Sequence, residues 1–339
     1  MRMLFFKRHL LLIIICLLLN PFTKAQDIHF SQFYFNPTML NPANIGVFKG
    51  DYRFTTNYKN QWQVVDDSYK TMFASAELAL PAKRVGVGIS FFNDKSGSAA
   101  LKTNRVALGT SYTMRVSSNT SFYFGAEGAF GQKSISYNDN LKWDSQYNGN
   151  YYDPSLSSGE LFGNQKKNYL DIGAGAAWSY INKFADFKSN AGLAVYHLNK
   201  PDISFYGTKE GNKLPAKIIA NLNFQIRMGS GKNLFALPNL LLVRQGPFSE
   251  IIAGSMVKYI IGKDNASDLV YTDRTTSSAV MLGIHYRLRD AIIVNAAFEL
   301  QKSLLLGFSY DVNVSKLRAA TVFRGGLEVS LLYKGAFSN

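Results

Sequence analysis

The chain has 339 residues, with 37 Lys+Arg against 23 Asp+Glu, a formal charge of +14, and 14% aromatic residues. Its one cysteine, Cys16, falls in an N-terminal apolar run, so everything after that run lacks disulfides and cysteine-ligated metal sites. No later apolar run reaches the ~20 residues that a membrane-crossing helix needs.

The first element is a targeting segment. Arg2, Lys7 and Arg8 make a positive start, Leu10 to Leu19 is apolar apart from Cys16, and Thr23-Lys24-Ala25 ends in the small residue that a signal peptidase requires. Residues 1–25 read as a signal peptide, cleaved between Ala25 and Gln26. Ile13, Ile14 and Ile15 stand before Cys16, where a lipobox has small residues, so lipidation is not expected. Arg2, Lys7, Arg8 and Lys24 leave with the signal, and the charge falls from +14 to +10. In an exported chain that charge meets outer-membrane lipids and acidic partners, and no nucleic acid.

Residues 26–50 are neither strand-like nor linker-like. The stretch Gln26-Asp27-Ile28-His29-Phe30-Ser31-Gln32-Phe33-Tyr34-Phe35-Asn36-Pro37 continues through Thr38-Met39-Leu40 to Asn41-Pro42-Ala43-Asn44-Ile45-Gly46. Its aromatic residues and Asn-Pro turns predict an ordered, plug-like or docking segment rather than a loose terminus.

From residue 51 to 339 a period of two restarts about every ten residues. It predicts strands over 52–62, 70–80, 84–93, 103–116, 121–132, 169–180, 188–198, 216–228, 233–243, 249–261, 278–288, 291–300, 302–313 and 324–334. In 278–288, Val280, Leu282, Ile284, Tyr286 and Leu288 share one face, while Ala279, Met281, Gly283, His285 and Arg287 share the other. Across all strands the first kind of face collects Phe54, Leu78, Ile89, Val106, Phe124 and Phe308, and almost no charge. The second collects Arg53, Lys59, Glu77, Arg84, Arg105, Arg115, Glu127, Asp171, Lys217, Arg287, Asp311 and Glu328.

A soluble sandwich buries its apolar face between sheets, whereas an outer-membrane barrel turns it toward lipid. Sandwich strands average about five or six residues, and tilted membrane strands need about nine to eleven. The fold class is therefore all-β: an antiparallel transmembrane β-barrel of about 14 strands, with an ordered N-terminal segment, in the outer membrane. Tight turns at 81–83, 117–120 and 229–232 alternate with long connections at 94–102, 133–168 and 199–215, as periplasmic turns and extracellular loops do. Two features break the pattern: Pro238 inside the ninth strand and the polar connection 262–277 on the short-turn side. Strands nine and ten are the weak point, and a count of twelve to sixteen stays open.

Chemistry-bearing motifs are sparse. His29, His197 and His285 have no metal-site spacing, and no G-x-S-x-G elbow occurs. Gly229-Ser230-Gly231-Lys232 lacks the first glycine of a phosphate loop, since Ile226 holds that place and Asn233 follows the lysine. Asp144, Gln146, Asn148 and Gly149 start like a calcium loop, but its twelfth position is Ser155. No catalytic, metal or cofactor-binding residue and no cofactor is assigned. The two-signed lumen face argues for charges that pair across the interior and against a wide, unselective pore.

The N-terminal stretch resembles the opening of the PorP/SprF family of type IX secretion outer-membrane proteins. The family's Q-D-x-x-F-S-Q-[YF] matches Gln26 to Phe33, and its N-P-A-x-x-G matches Asn41 to Gly46. Tyr58-Lys59-Asn60-Gln61-Trp62 is similar to its Y-R-x-Q-W, with Lys59 departing. Gly307 to Asp311 is similar to G-Y-x-Y-D, and Gly325 to Glu328 to G-S-H-E, with Gly326-Leu327 in place of Ser-His. The resemblance implies a non-enzymatic barrel of the export and gliding machinery of Bacteroidota. Its implied partners are a secreted surface protein or adhesin with a C-terminal sorting domain, and other type IX components. The docking candidates it supplies are Phe30, Ser31, Gln32, Asn41, Pro42, Gln61, Trp62, Tyr310 and Asp311. A structural role competes at each: Phe30, Tyr34 and Trp62 pack the segment on the barrel, Asn41-Pro42 forms a turn, and Asp311 pairs with a lumen arginine. The alternative function is a plugged transporter of small or hydrophobic solutes. Mass spectrometry of the protein from outer membranes is expected to place the first residue at Gln26; a mass retaining residues 1–25 overturns the cleavage.

Overall fold

The computed structural model describes residues 29–61, 69–80, 82, 84–97, 101–135, 143–157, 159, 165–205, 213–229, 231, 233–262, 277–315 and 324–337. Fourteen strands follow in chain order: β1 (Tyr52–Gln61), β2 (Tyr69–Leu80), β3 (Val85–Ser96), β4 (Leu101–Arg115), β5 (Thr120–Ser134), β6 (Lys166–Ile181) and β7 (Phe187–Tyr196). The second half comprises β8 (Lys217–Arg227), β9 (Leu234–Gln245), β10 (Phe248–Ile261), β11 (Ser278–Arg287), β12 (Ala291–Leu300), β13 (Leu304–Asn313) and β14 (Arg324–Gly335). Each pairs antiparallel with its sequence neighbours, and β1 pairs with β14 from Tyr52↔Gly335 to Gln61↔Gly326, so the sheet closes without an edge.

The period of two sorts the side chains as membrane burial requires. Along β11, Leu282, Ile284 and Tyr286 project outward, 60%, 63% and 44% exposed, while Ala279, Met281, His285 and Arg287 are buried in the lumen. Phe54, Ile89, Val106, Phe124 and Phe308 point outward as well. In a bilayer these faces meet lipid, where apolar side chains are at home and charges are not. Two charges of the predicted lumen face do not lie there: Arg84 and Arg115 are exposed at strand ends, where the ladder stops and a long cation reaches water.

One rim, the near rim, holds the start of β1 and the end of β14. Its connections are 81–84, 116–119, 182–186, 228–233, 262–277 and 301–303. Outward aromatic residues gather there: Tyr52 meets Tyr333 and Phe337, and Trp178, Tyr180, Phe187 and Phe224 follow ring to ring at 5.9–6.4 Å. Such a girdle suits the membrane interface, where a ring buries its body and keeps a wet edge. The opposite, far rim carries the long connections 135–165 and 197–216.

The predicted weak point is regular. β9 and β10 pair without interruption from Phe248↔Gln245 to Tyr259↔Leu234, through Ser255↔Pro238. The missing donor of Pro238 shows on its other side, where the β8 ladder skips between Asn223↔Asn239 and Ile226↔Ala236. The proline is thus absorbed by a local gap in one ladder, and the count is fourteen.

The lumen is filled. Residues 29–50 run down its interior as a plug, with a 3₁₀ turn at Phe33–Phe35, one α-helical turn at Pro37–Leu40 and a second 3₁₀ turn at Pro42–Asn44. Substituting Ile284→Arg on the lipid face is expected to destabilise the barrel by about 2–4 kcal/mol in urea unfolding from lipid vesicles. An unchanged midpoint removes that face from the bilayer.

Candidate functional site

Two charged clusters on the lumen wall hold the plug, one near each of its ends, and a third lies beside its middle. At the far-rim end, Glu328 on β14 is fully buried and accepts from the Ser31 and Gln32 backbone N–H groups at 2.7 and 2.9 Å, and from Asn57 Nδ2 at 2.9 Å. Gln32 Nε2 donates to the Glu328 carbonyl at 3.0 Å. The Ser31 hydroxyl donates to Asp311 at 2.8 Å and accepts from Arg287 at 2.7 Å and Lys59 at 3.2 Å. Arg287 lies 3.1 Å from Asp311, and His29 Nδ1 lies 3.0 Å from Glu250. Three buried carboxylates, Glu328, Asp311 and Glu250, thus stand among Lys59, Arg287 and the His29 ring, and pairing of this kind is the condition for burying them.

Lower in the plug, Tyr34 donates to Asn295 Oδ1 at 2.8 Å and stacks on His285 at 5.4 Å between centroids. Asn295 in turn donates to His285 Nδ1, which leaves Nε2–H to donate to Asn239. Phe33 and Leu40 pack against Ile219, Leu241, Val243, Ile252 and Ile293; Phe35 packs against Met256, Met281, Ala297 and Leu305. The middle cluster joins Arg105 to Glu127 and Asp171, with His197 3.0 Å from Asp171. Next to it, the Tyr196 hydroxyl donates to the plug carbonyl of Met39 at 3.0 Å.

The near-rim cluster is a bidentate Arg53–Glu77 pair at 2.6 and 2.7 Å. Glu77 also accepts from the Gly46 N–H at 3.0 Å, and Arg53 donates to the Asn44 carbonyl at 3.1 Å. Asn41 caps the last turn by accepting from Ala43 N–H, and its Nδ2 donates across to the Ala176 and Leu193 carbonyls of β6 and β7.

Glycine permits this close approach. A Cβ on Gly125 would lie 2.4 Å from the Pro42 and Ala43 backbone, and one on Gly175 would lie 2.0 Å from Asn41 Oδ1. The plug's turns therefore rest directly on the wall at positions where any side chain would displace them.

Of the residues singled out from sequence, Phe30, Ser31, Gln32, Asn41, Pro42 and Asp311 meet in the lumen. Phe30 lies edge-on to Phe73 at 6.4 Å, and Pro42 opens the turn that sits on Gly125. Gln61 ends β1 at the far rim beside Gly326. Tyr310 is 41% exposed on the lipid face, away from the plug. Ala25, Gln26 and Trp62 lie outside the described residues. Glu250, Asn57, His285, Asn295 and Tyr196 were not singled out. Their inward parity was the available signal, but parity identifies a wall position without naming what stands against it.

A family model described as "Type IX secretion system membrane protein PorP/SprF" matches residues 22–333. The chain belongs to this family. No curated protein sequence matches it. Among solved structures it is similar to the Ralstonia pickettii toluene transporter TbuX, with a TM-score of 0.50 and 11% identity over 90% of this chain and 94% of that one. The P. putida toluene transporter TodX gives 0.47 and 10% over 88% and 93%, and a Pseudomonas aeruginosa FadL homologue gives 0.46 and 11% over 88% and 94%. Identity this low speaks for the fold alone. The PorP/SprF chain is thus an outer-membrane β-barrel and a membrane component of type IX secretion.

Replacing Glu328 by Ala removes the acceptor of two plug N–H groups and takes one carboxylate from the network in which Lys59 and Arg287 face Asp311 and Arg287 also meets Glu250 and Asp290. The expected cost is about 3–5 kcal/mol, as for a buried ion network stripped of one partner. The plug should then become accessible: a cysteine placed at Ser31 should react with a membrane-impermeant maleimide in the Glu328→Ala background and stay protected with Glu328 present. Equal protection in both removes Glu328 as the anchor.

Proposed function

We propose that this PorP/SprF barrel is a non-enzymatic docking component, which supports export or surface attachment of partner proteins with C-terminal sorting domains. The observation that carries the reading is the plug, fixed at both ends by buried polar networks and filled in between by Phe33, Phe35 and Leu40. A lumen occupied by the chain's own residues favours a scaffold over a conduit. The far rim, the extracellular one when short turns face the periplasm, offers the contact surface. Its connection 135–165 presents Tyr147, Tyr151 and Leu156, 50%, 63% and 38% exposed, and exposed aromatic side chains are the residues from which protein interfaces draw their anchors.

Residues 1–25 serve as the signal peptide in this reading, 26–50 as the docking plug and 51–339 as the barrel. Partner proteins, other type IX components and outer-membrane lipids are its contacts, and gliding is a process it would serve where the partner is an adhesin.

Deleting the gene is expected to remove one or a few proteins from the cell surface, with restoration by the full chain and not by a chain lacking residues 143–157. The purified barrel in planar bilayers should conduct little current. A surface proteome unchanged by the deletion, or a large solute-dependent conductance, would overturn docking and favour the plugged transporter.

A further inference from the structure

Beside the plug, on the β2–β8 side, the lumen keeps a vestibule of about 160 Å³ that reaches the far-rim ends of β3, β4 and β5 at Ser96, Leu101 and Lys133. Its floor includes the plug residues Thr38 and Met39, whose carbonyls accept from Tyr196. Phe73, Phe92 and Tyr169 give it aromatic walls. Its volume is close to the ~150 Å³ of a protein cavity that admits benzene.

Two polar groups, one on its wall and one in an adjoining recess, lack partners among the described residues. Lys217, at the start of β8, is only 8% exposed, and no group among the described residues pairs with its ammonium. Lys217 also lines an adjoining recess of about 40 Å³, where Asn36 is 2% exposed and neither atom of its amide is hydrogen-bonded. The other charges facing the vestibule are engaged: Arg105 with Glu127 and Asp171, His197 with Asp171, Asp94 with the hydroxyls of Thr71 and Ser96, and Lys133, at the far rim, in a contact of its own. The Lys217 ammonium therefore meets the vestibule without a counter-charge among the described residues, and an anion delivered beside it gains a charge-assisted contact.

We propose that the vestibule binds a carboxylate carried on a compact aromatic or apolar group, with Lys217 as its counter-ion and the walls of Phe73, Phe92 and Tyr169 around its body. The carboxylate can belong to a free small acid or to the C-terminal residue of a polypeptide; both present the same chemistry. This inference does not depend on the docking role.

The purified full-length mature protein in detergent would be titrated calorimetrically with phenylacetate, with uncharged phenylacetamide, with the tripeptide Gly-Gly-Phe and with its C-terminal amide. At least one acid should bind, its amide about tenfold more weakly, as loss of a buried charge-assisted contact implies. Lys217→Met should weaken the acid by a similar factor and Lys217→Arg should retain it. Leu101→Trp fills the vestibule without touching Lys217 and should also abolish binding; heat-modifiable electrophoretic migration reports that each variant is folded. Binding of phenylacetate alone assigns the site to small acids, and binding of the tripeptide acid alone assigns it to chain ends. Acids and amides binding equally, full binding in Lys217→Met, or no binding of either acid overturns the proposal.

Discussion

The barrel's closing seam and the plug's anchor are the same set of residues. β1 and β14 meet through the pairs Lys59↔Glu328 and Asn57↔Ser330, and their inward side chains form the floor on which Ser31 and Gln32 sit. Bringing β1 to β14 closes nearly the whole chain into a ring, an entropic cost that grows only slowly with length but must be met by contacts at that one seam. The segment just ahead of β1 adds to them, since Ser31 bridges to β13 and β11 as well as β14. Without it Glu328 would keep Asn57 as a donor but lose both backbone amides, a half-satisfied carboxylate in a buried place. Closure and plugging therefore support one another, and Glu328 is where they join.

Along its length the plug obeys a second constraint, which is space. Gly86 would clash with Ile45, Gly125 with Pro42, Gly175 with Asn41 and Gly307 with Gln32 if any of them bore a side chain. These wall positions fall on four different strands, so they describe a groove cut to the shape of one particular chain path. The Asn-Pro steps fit this path because proline fixes the backbone of each turn and the preceding asparagine can cap it with its own side chain, as Asn41 does. Asn41 also reaches the carbonyls of Ala176 and Leu193, which ties the turn to two strands at once.

The strands were legible in the sequence because the rule that governs them is local. Alternation places Leu282 and Arg287 on opposite faces whatever the rest of the chain does, and every strand starts and ends within three residues of its expected bounds. Pro238 misled for the same reason: a proline removes one donor, but only the register shows that the lost bond is a gap toward β8 and leaves β10 untouched. The site was less legible. Ser31, Asn41 and Asp311 stood out by motif, but the partners that give them meaning lie up to 297 residues away, as Glu328 does from Ser31. His285 and Asn295 look like ordinary strand residues until Tyr34 is laid across them. Parity says that a side chain faces the lumen, and no local pattern says what fills it.

Polar and apolar contacts divide the work of holding the plug. Burying an aromatic or leucine side chain contributes about 1.5–3 kcal/mol, and Phe30, Phe33, Phe35 and Leu40 are each buried to within 8% of complete. A hydrogen bond exchanged with water contributes about 0.5–1.5 kcal/mol, and a buried ion pair can contribute nothing net. The aromatic residues therefore supply the greater part of the affinity. What the charges add is position, because apolar surfaces tolerate sliding whereas a shift of one residue would set Glu328 against different amides and leave Glu77 without the Gly46 N–H. A plug fixed in this way presents a defined floor to whatever enters from the far rim. Thr38 and Met39 form part of that floor, so a ligand or a partner segment that reaches them contacts the barrel's own N-terminal segment together with the barrel wall.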